Sequence, residues 1–323
     1  MFYLRNECNK SSRRPAVSST GRVEPSRAGV IISHHGVAVD VRWDDGERSL
    51  VRVKRRSGHV VGDCVALKGE ALERLPRRTE LRRRGAREGI HLIGANLDVL
   101  GIVVSTLPLP PPGFIDRAII AARAASLVPF IVVNKCDLMD SAGLASSLHN
   151  SYADHLPVFS LSAATGVGLD PLRAFLANHR GAFIGVTGVG KSSLLNALCP
   201  EIDLAVGEVN VTAGRGRHTT TVSTLNCLPG GGELIDTPGF HDFGLIDVSS
   251  HDLLAYFPGL EQNDEMTCRF RDCRHHSEPG CAIRELVAQG RISKERYESY
   301  LVILSEVEAS ERESRQREWK NKP

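Results

Sequence analysis

The segment Gly185-Val-Thr-Gly188-Val-Gly-Lys191-Ser192 constrains the fold of this chain more than any other feature. It follows the apolar run 182–184 and leads into the helical pattern of 191–198, which is the strand, loop and helix setting of a phosphate-binding P-loop. The glycines let consecutive backbone N–H groups face a phosphate, and the helix amino terminus adds a favourable dipole. We expect Lys191 to reach the β- and γ-phosphates of a nucleotide and the Ser192 hydroxyl to bind Mg²⁺. A coincidental match is the alternative.

The residues around this loop alternate between apolar runs and helical patterns. Such alternation predicts a mainly parallel sheet covered by helices, the central α/β part of a multidomain protein. The predicted strands are 97–104, 130–133, 158–161 and 182–186, and the predicted helices are 114–126, 140–155, 170–178 and 191–198. After about residue 247 the strand patterns stop, and a long charged helical pattern occupies 294–319.

The tetrapeptide Asn134-Lys135-Cys136-Asp137 ends the apolar run 130–133, where ligand-binding loops of a parallel sheet occur. A carboxylate at Asp137 can accept from the N1–H and 2-amino groups of guanine, whereas adenine offers no such pair of donors. Asn134 can tie loops together while the stem of Lys135 lies over the base. Alone, an ordinary polar turn is the better interpretation, but next to a P-loop the motif favours GTP over ATP.

Three further segments resemble parts of a nucleotide site. The backbone of Ser162-Ala163, after a short strand, can meet the guanine carbonyl, and Asp236-Thr-Pro-Gly239 offers a carboxylate for Mg²⁺ and an amide for a γ-phosphate. The segment 214–221 has glycines for mobility and threonines for the Mg²⁺ shell. The competing interpretation of 236–239 is an ordinary turn, and that of 214–221 is a Thr-rich strand start. The candidate nucleotide-site residues are Asn134, Lys135, Asp137, Ser162, Ala163, Gly185, Gly188, Val189, Gly190, Lys191, Ser192, Ser193, Thr219, Thr220, Asp236 and Gly239.

The order of these motifs along the chain is unusual. Ras-like GTPases have the P-loop first, whereas here N-K-C-D at 134 and S-A-A at 162 precede the P-loop at 185. A circularly permuted domain is therefore predicted. The permutation is physically acceptable, because the site depends on the arrangement of the loops in space and not on their order in the chain.

The amino-terminal part of the chain is basic and has a β pattern. Residues 1–90 hold 20 Lys and Arg against 11 Asp and Glu, although the whole chain is nearly balanced at 40 against 38. A hairpin with a turn at 44–46 is predicted to turn Val37, Val39, Val41, Trp43, Val51 and Val53 inward and Arg42, Arg48, Arg52 and Lys54 outward. A further strand at about 59–67 completes a small β-barrel such as an OB-fold, with 74–87 as a linker or phosphate-contacting arm. A solvated cationic face without a ligand is an equally good interpretation.

A cluster of cysteine and histidine follows the α/β region. Cys268-x4-Cys273-x-His275-x5-Cys281 offers three sulfurs and one imidazole within 14 residues, which suits a closed, structural Zn²⁺ site. His276 leaves one ligand ambiguous. The amino terminus lacks the apolar core of a signal peptide and no run reaches the ~20 residues of a membrane span. We therefore expect a cytoplasmic protein without membrane contact, in which these thiols bind metal and form no disulfides.

These motifs together resemble the RsgA (YjeQ) family of GTPases that depend on the small ribosomal subunit, over about residues 21–305. The resemblance implies a flexible tail at 1–20, an OB-fold RNA-binding domain at 21–88, a circularly permuted GTPase domain at 89–245 and a helical zinc-binding domain at 246–323. It also implies a monomer that binds GTP and GDP, the 30S subunit and 16S rRNA late in subunit maturation, with hydrolysis stimulated by the ribosome. One structural zinc and magnesium bound with GTP are the implied cofactors.

The catalytic residue is less evident from the sequence. Phe240 follows D-T-P-G where Ras-like enzymes have a water-orienting Gln, so slow intrinsic hydrolysis is expected. His218 matches the histidine that the family is thought to use in this role, and a packing or RNA-contacting role for it is the alternative. A nucleotide-regulated RNA-binding module with incidental hydrolysis, and a P-loop ATPase or kinase, are the competing functions; Asp137 disfavours the latter.

Overall fold

The computed structural model describes residues 27–84, 90–201, 223–236, 245–246, 248–260 and 267–320. An antiparallel sheet forms the amino-terminal part and has the strand order β3-β2-β1-β4-β5 of an OB-fold. Its strands are β1 (Arg27–His34), β2 (Ala38–Trp43), β3 (Arg48–Arg52), β4 (Cys64–Lys68) and β5 (Ala71–Arg74). The predicted OB-fold is confirmed, and the tail at 1–20 lies outside the described residues.

The predicted hairpin is confirmed as the β2–β3 pair, with two exceptions. Val39, Val41 and Trp43 are buried as the alternation requires, but Val37 precedes β2 and is exposed. Arg42, predicted to face outward, instead contacts the central sheet through Glu233, because β2 lies against that sheet on this side.

The basic stretch predicted as a linker contains secondary structure. A two-stranded sheet is formed by β6 (Glu80–Arg84) and β7 (Ile90–Ala95). Leu81 is 1% exposed and anchors β6 in the core, while Arg77 binds the buried carboxylate of Asp63 at 2.6 Å and Glu80 at 3.0 Å. This part of the stretch is thus held by internal ion pairs and apolar burial.

The central part is a six-stranded sheet with the order β10-β9-β8-β11-β13-β12. All neighbours are parallel except β12 and β13, which form an antiparallel hairpin. In chain order the elements are β8 (Val99–Val104), α1 (Phe114–Ala124), β9 (Val128–Val133), α2 (Ser141–Tyr152), β10 (Val158–Ser160), α3 (Leu169–Leu176), β11 (Arg180–Ile184), α4 (Lys191–Leu198), β12 (Leu225–Cys227) and β13 (Glu233–Ile235). Apolar clusters cover both faces, which explains why the strands are continuous apolar runs.

The carboxy-terminal part consists of α5 (Leu253–Tyr256), α6 (Ala282–Ala288) and α7 (Lys294–Lys320). A core of Leu253, Phe257, Ile283, Tyr300 and Ile303 joins the three helices and includes Ile120 of α1. The first half of α7 packs in this core, as its apolar residues predict. Among the described residues, no helix has the length and apolar character needed to cross a bilayer.

Candidate nucleotide site and metal centre

The predicted nucleotide-binding loops meet at one edge of the central sheet. N-K-C-D follows β9, S-A-A follows β10, the P-loop follows β11, and Asp236 follows β13. Because these four strands are parallel, their carboxyl ends lie at the same edge of the sheet. The sheet order therefore brings the loops together, although their order along the chain differs from that of Ras-like GTPases.

The P-loop has the backbone that its glycines predict. Gly188 and Gly190 have φ values of 90° and 95°, in the region that favours glycine, and α4 begins directly afterwards at Lys191. A Cβ atom on Gly190 would lie 2.4 Å from Nδ2 of Asn134, so the loop approaches the N-K-C-D segment too closely for any other residue.

Lys191 lies in the loop that its sequence position predicts. Its Nζ donates to the carbonyl oxygens of Gly185 at 2.8 Å and Val186 at 3.1 Å. Burial lowers the pKa of Lys191 to about 8, while the carboxylate of Asp236 acts in the opposite direction. The loop therefore holds a poorly hydrated amine that an anionic phosphate stabilises in its charged form.

Asn134 joins two of the loops. Its side chain is 2% exposed; Nδ2 donates to Val189 O at 2.9 Å, and Oδ1 accepts from the Ala163 N–H at 3.0 Å. The side-chain amide of Asn134 thus holds the P-loop and the S-A-A loop next to each other.

Lys135 and Asp137 extend this arrangement. Lys135 Nζ donates to Gly188 O and Leu107 O, both at 2.7 Å, and burial lowers its pKa. The exposed carboxylate of Asp137 accepts from Ser162 Oγ at 2.5 Å, and this bond holds the pKa of Asp137 below its ordinary value. An ionised, oriented acceptor thus stands beside the P-loop, as recognition of two guanine N–H donors requires.

The remaining predicted residues divide into two groups. Asp236 is buried at the end of β13, and Ser192 and Ser193 lie in the first turn of α4. Thr219, Thr220 and Gly239 lie outside the described residues, as do the catalytic candidate His218 and Phe240.

The predicted metal ligands converge. The ligand atoms of Cys268, Cys273, His275 and Cys281 all lie within 4.8 Å of one another. His275 is buried and its Nδ1 is 3.5 Å from the sulfur of Cys268 and 3.4 Å from that of Cys281, whereas His276 is exposed. The structure thus groups His275, and not His276, with the three cysteines, and the cluster is able to hold a metal ion.

Sequence reasoning missed the groups that support these sites. The hydroxyls of Tyr297 and Tyr300 donate to backbone oxygens of His275 at 2.6 Å and Arg274 at 3.0 Å, tying α7 to the ligand loop. Their helical spacing predicted packing but not these bonds. The contact of Lys135 with Leu107 involves a backbone carbonyl, for which no sequence signal exists.

The permuted order of the loops, together with the oriented carboxylate of Asp137, defines a circularly permuted P-loop GTPase. A family profile described as RsgA GTPase matches residues 74–246. The small ribosomal subunit biogenesis GTPase RsgA of Pseudomonas fluorescens (strain SBW25) is 40% identical over 306 residues, which cover 90% of this chain and 88% of that protein. Its counterpart in Pseudomonas aeruginosa PAO1 is 39% identical over 92% of this chain and 91% of its own length. The chain belongs to the RsgA family of GTP-hydrolysing proteins.

Solved structures support the same assignment. YjeQ from Thermotoga maritima is 30% identical, with a TM-score of 0.70 over 88% of this chain and 99% of its own. YloQ, described as a circularly permuted GTPase, has a TM-score of 0.67 at 23% identity over 91% of this chain and 99% of its own, which is a likeness of fold. The predicted permutation is thus confirmed.

Proposed function

We propose that this protein is a GTP-switched assembly factor that acts in late maturation of the 30S ribosomal subunit. It binds the subunit in its GTP form, hydrolyses GTP under stimulation by the ribosome, and leaves with GDP. The names of its relatives support the biological role, and the single structural observation that carries the assignment to guanine nucleotides is the Asp137 carboxylate held by Ser162 beside the P-loop. We further propose that it works as a monomer in the cytoplasm, where the subunit is assembled.

In this proposal the base and the phosphates are bound by different loops. Asp137 accepts from the guanine N–H donors, Lys135 covers the base, and the backbone at Ser162 and Ala163 meets its carbonyl. The backbone N–H groups of 185–190, with those of Ser192 and Ser193, face the phosphates. Lys191 supplies a positive charge, and burial keeps its amine poorly hydrated.

Magnesium fits the residues that remain. The Ser192 hydroxyl lies in the first turn of α4, after β11, and the buried carboxylate of Asp236 follows the adjacent strand β13. Both are oxygen donors of the type that Mg²⁺ prefers, and we assign Thr219 and Thr220 to the same shell. Held there, the ion would neutralise the charge that develops on the phosphates. The amide of Gly239 senses the γ-phosphate, and His218 orients the attacking water in place of the glutamine that Phe240 replaces.

Zinc is the ion we assign to the Cys3His cluster. Ligands about 2.05 Å and 2.3 Å from a tetrahedral ion lie about 3.6 Å apart, close to the 3.4 and 3.5 Å between Nδ1 of His275 and two of the sulfurs. The ion would stiffen the loop that carries Arg269, Arg271 and Arg274 and join it to α6 and α7. Four ligands leave no open position, so its role is structural.

We assign a separate role to each of the proposed domains. Residues 21–88 form the OB-fold RNA-binding domain, with the exposed side chains of Arg48, Arg52 and Lys54 directed at phosphates of 16S rRNA. Residues 89–245 form the permuted GTPase domain, and 246–323 form the zinc-binding helical domain. The switch residues after Asp236 lead directly into this last domain.

GTP turnover with and without purified 30S subunits tests the proposal. We expect slow turnover that rises when subunits are added, and tighter subunit binding with a non-hydrolysable GTP analogue than with GDP. Equal subunit affinity in the two nucleotide states would refute the switch. His218→Ala should reduce turnover and trap the protein on the subunit; loss of turnover without trapping would favour the RNA-binding module whose hydrolysis is incidental.

A further inference from the structure

The β12–β13 hairpin links the two segments whose motifs the proposed function assigns to the γ-phosphate side of a nucleotide. In the chain it lies between the threonines at 219–221 and the D-T-P-G motif that begins at Asp236. Any change in these motifs on hydrolysis therefore acts on both ends of the hairpin. The hairpin is also the outer edge of the central sheet, where β12 has only β13 as a strand neighbour in the six-stranded order.

The amino-terminal sheet contacts both strands of this hairpin through one side chain. The guanidinium of Arg42, on β2, donates to the sulfur of Cys227 in β12 at 2.8 Å and forms an ion pair with Glu233 in β13. Arg42 and Glu233 are only 23% and 17% exposed, so the pair is shielded from much of the solvent screening that weakens surface ion pairs.

Backbone and apolar contacts reinforce this junction. Ser33 of β1 forms an antiparallel bridge with Thr224, immediately before β12. Val30 of β1 shares one buried cluster with Leu225 and Ile235 of the hairpin. The amino-terminal sheet is thus continuous with the hairpin in both hydrogen bonding and packing.

Glu233 connects the junction to the strand that carries the P-loop. Arg180 is the first residue of β11, and its Nε donates to the second carboxylate oxygen of Glu233 at 2.7 Å. Arg180 also donates to the backbone oxygen of Gly62, in the amino-terminal region, at 3.1 Å. Burial opposes ionisation, but the two arginines nevertheless hold the pKa of Glu233 below its ordinary value. The carboxylate is therefore an ionised link between β2, β11 and β13.

We propose that Arg42 is a positioning residue that transmits the nucleotide state from the β12–β13 hairpin to the amino-terminal sheet. A shift of the hairpin against β11 changes the geometry of the Arg42–Glu233–Arg180 cluster, and Arg42 passes that shift to β2. The nucleotide at one edge of the central sheet thereby controls the orientation of the RNA-binding face at the other. This inference rests on the proposed nucleotide-dependent binding of the subunit.

Hydrogen–deuterium exchange on the full-length protein tests the relay without the ribosome. In the wild type we expect the amides of residues 27–43 to exchange at different rates with GDP and with a non-hydrolysable GTP analogue. Arg42→Ala should remove this difference while GTP affinity and intrinsic turnover stay unchanged. Lys68→Ala is the matched control, because it removes one positive charge from the same sheet at an exposed position paired with Glu73, and it should keep the difference. The absence of a difference in the wild type, or its persistence in Arg42→Ala, would overturn the inference.

Subunit binding provides the second readout. The ratio of 30S affinities with the GTP analogue and with GDP should fall at least about fivefold in Arg42→Ala, the lower end of typical coupling between sites, and stay unchanged in Lys68→Ala. An unchanged ratio in Arg42→Ala refutes the relay. A wild-type ratio of one instead refutes the switch in the proposed function, so the two failures are distinguishable.

Discussion

Replacement of Asn134 by alanine tests whether the convergence of the loops creates the nucleotide site. The substitution removes two buried hydrogen bonds and leaves Val189 O and the Ala163 N–H without these partners. An unpaired buried group costs about 1–3 kcal/mol, so we expect the free energy of unfolding to fall by about 3 kcal/mol.

The effect on binding follows from the same bonds. Without the Asn134 amide, the P-loop and the S-A-A loop are no longer held together in advance, and the nucleotide must order them as it binds. We assign about 1.4 kcal/mol to this ordering, which makes GTP binding about tenfold weaker. Calorimetric titration with GTP and urea denaturation measure the two quantities separately.

Asn96 provides a matched control. It is also a buried asparagine, with Nδ2 donating to Gly62 O and Oδ1 accepting from the Arg78 N–H, both at 2.9 Å, but it precedes β8 at the opposite edge of the sheet. Asn96→Ala should reduce stability at least as much, since its φ of 56° is unfavourable for alanine, and leave GTP affinity intact. Wild-type GTP affinity in Asn134→Ala would show that our reasoning is wrong.

Five further variants, one of them a control, test the nucleotide site, the metal cluster and the attachment of α7. Asp137→Asn should weaken GTP binding roughly a hundredfold and strengthen XTP binding, because an amide donates to the 2-carbonyl of xanthine; unchanged selectivity in a competition assay would contradict the guanine assignment. Burial lowers the pKa of Lys191 to about 8 from 10.5, so between these values the unfolded chain holds a proton that the folded chain lacks, and stability falls as the pH drops through this window. Lys191→Met should abolish GTP binding and flatten this dependence in urea titrations from pH 10 to 8. Cys281→Ser should reduce the bound metal from one ion per chain, measured by elemental analysis, whereas His276→Ala should retain it; equal metal contents would contradict the ligand set. Arg296→Met should lower the free energy of unfolding by about 3 kcal/mol, because it leaves a buried carboxylate of α1 without its 2.9 Å ion pair; a loss below about 1 kcal/mol would refute that role.

The ion pairs of α7 show how the carboxy-terminal part is joined to the central domain. Arg296 pairs with Asp116 of α1, and its guanidinium lies 4.8 Å from the ring centres of both Tyr152 and Phe257. Arg117, the next residue of α1, pairs with Glu306, which lies further along α7. These contacts attach the carboxy-terminal helices to the central part, and the junction at Arg42 attaches the amino-terminal sheet to it.

Local patterns in the sequence were enough to predict most of the elements. Helix α4 begins and ends where its sequence predicts, because the P-loop glycines and the apolar spacing mark both limits. The start of α7 at Lys294 was equally well predicted. The β6–β7 sheet was missed, because an arginine-rich segment with few apolar residues has the composition of a linker. Pairing of the two strands, the burial of Leu81 and the ion pair of Arg77 with Asp63 stabilise it as structure.

The sequence by itself determined the chemistry of this protein: the phosphate loop, the guanine-directed carboxylate, the Cys/His cluster and the permuted order of the nucleotide motifs are all encoded in short motifs with strict spacing. Only the tertiary structure decided which partners those residues have. Arg42 binds Glu233, 191 positions away, and Asn134 binds Val189, 55 positions away. Spacing along the chain carries no information about such pairs, because folding of the sheet, and not local conformation, brings them into contact.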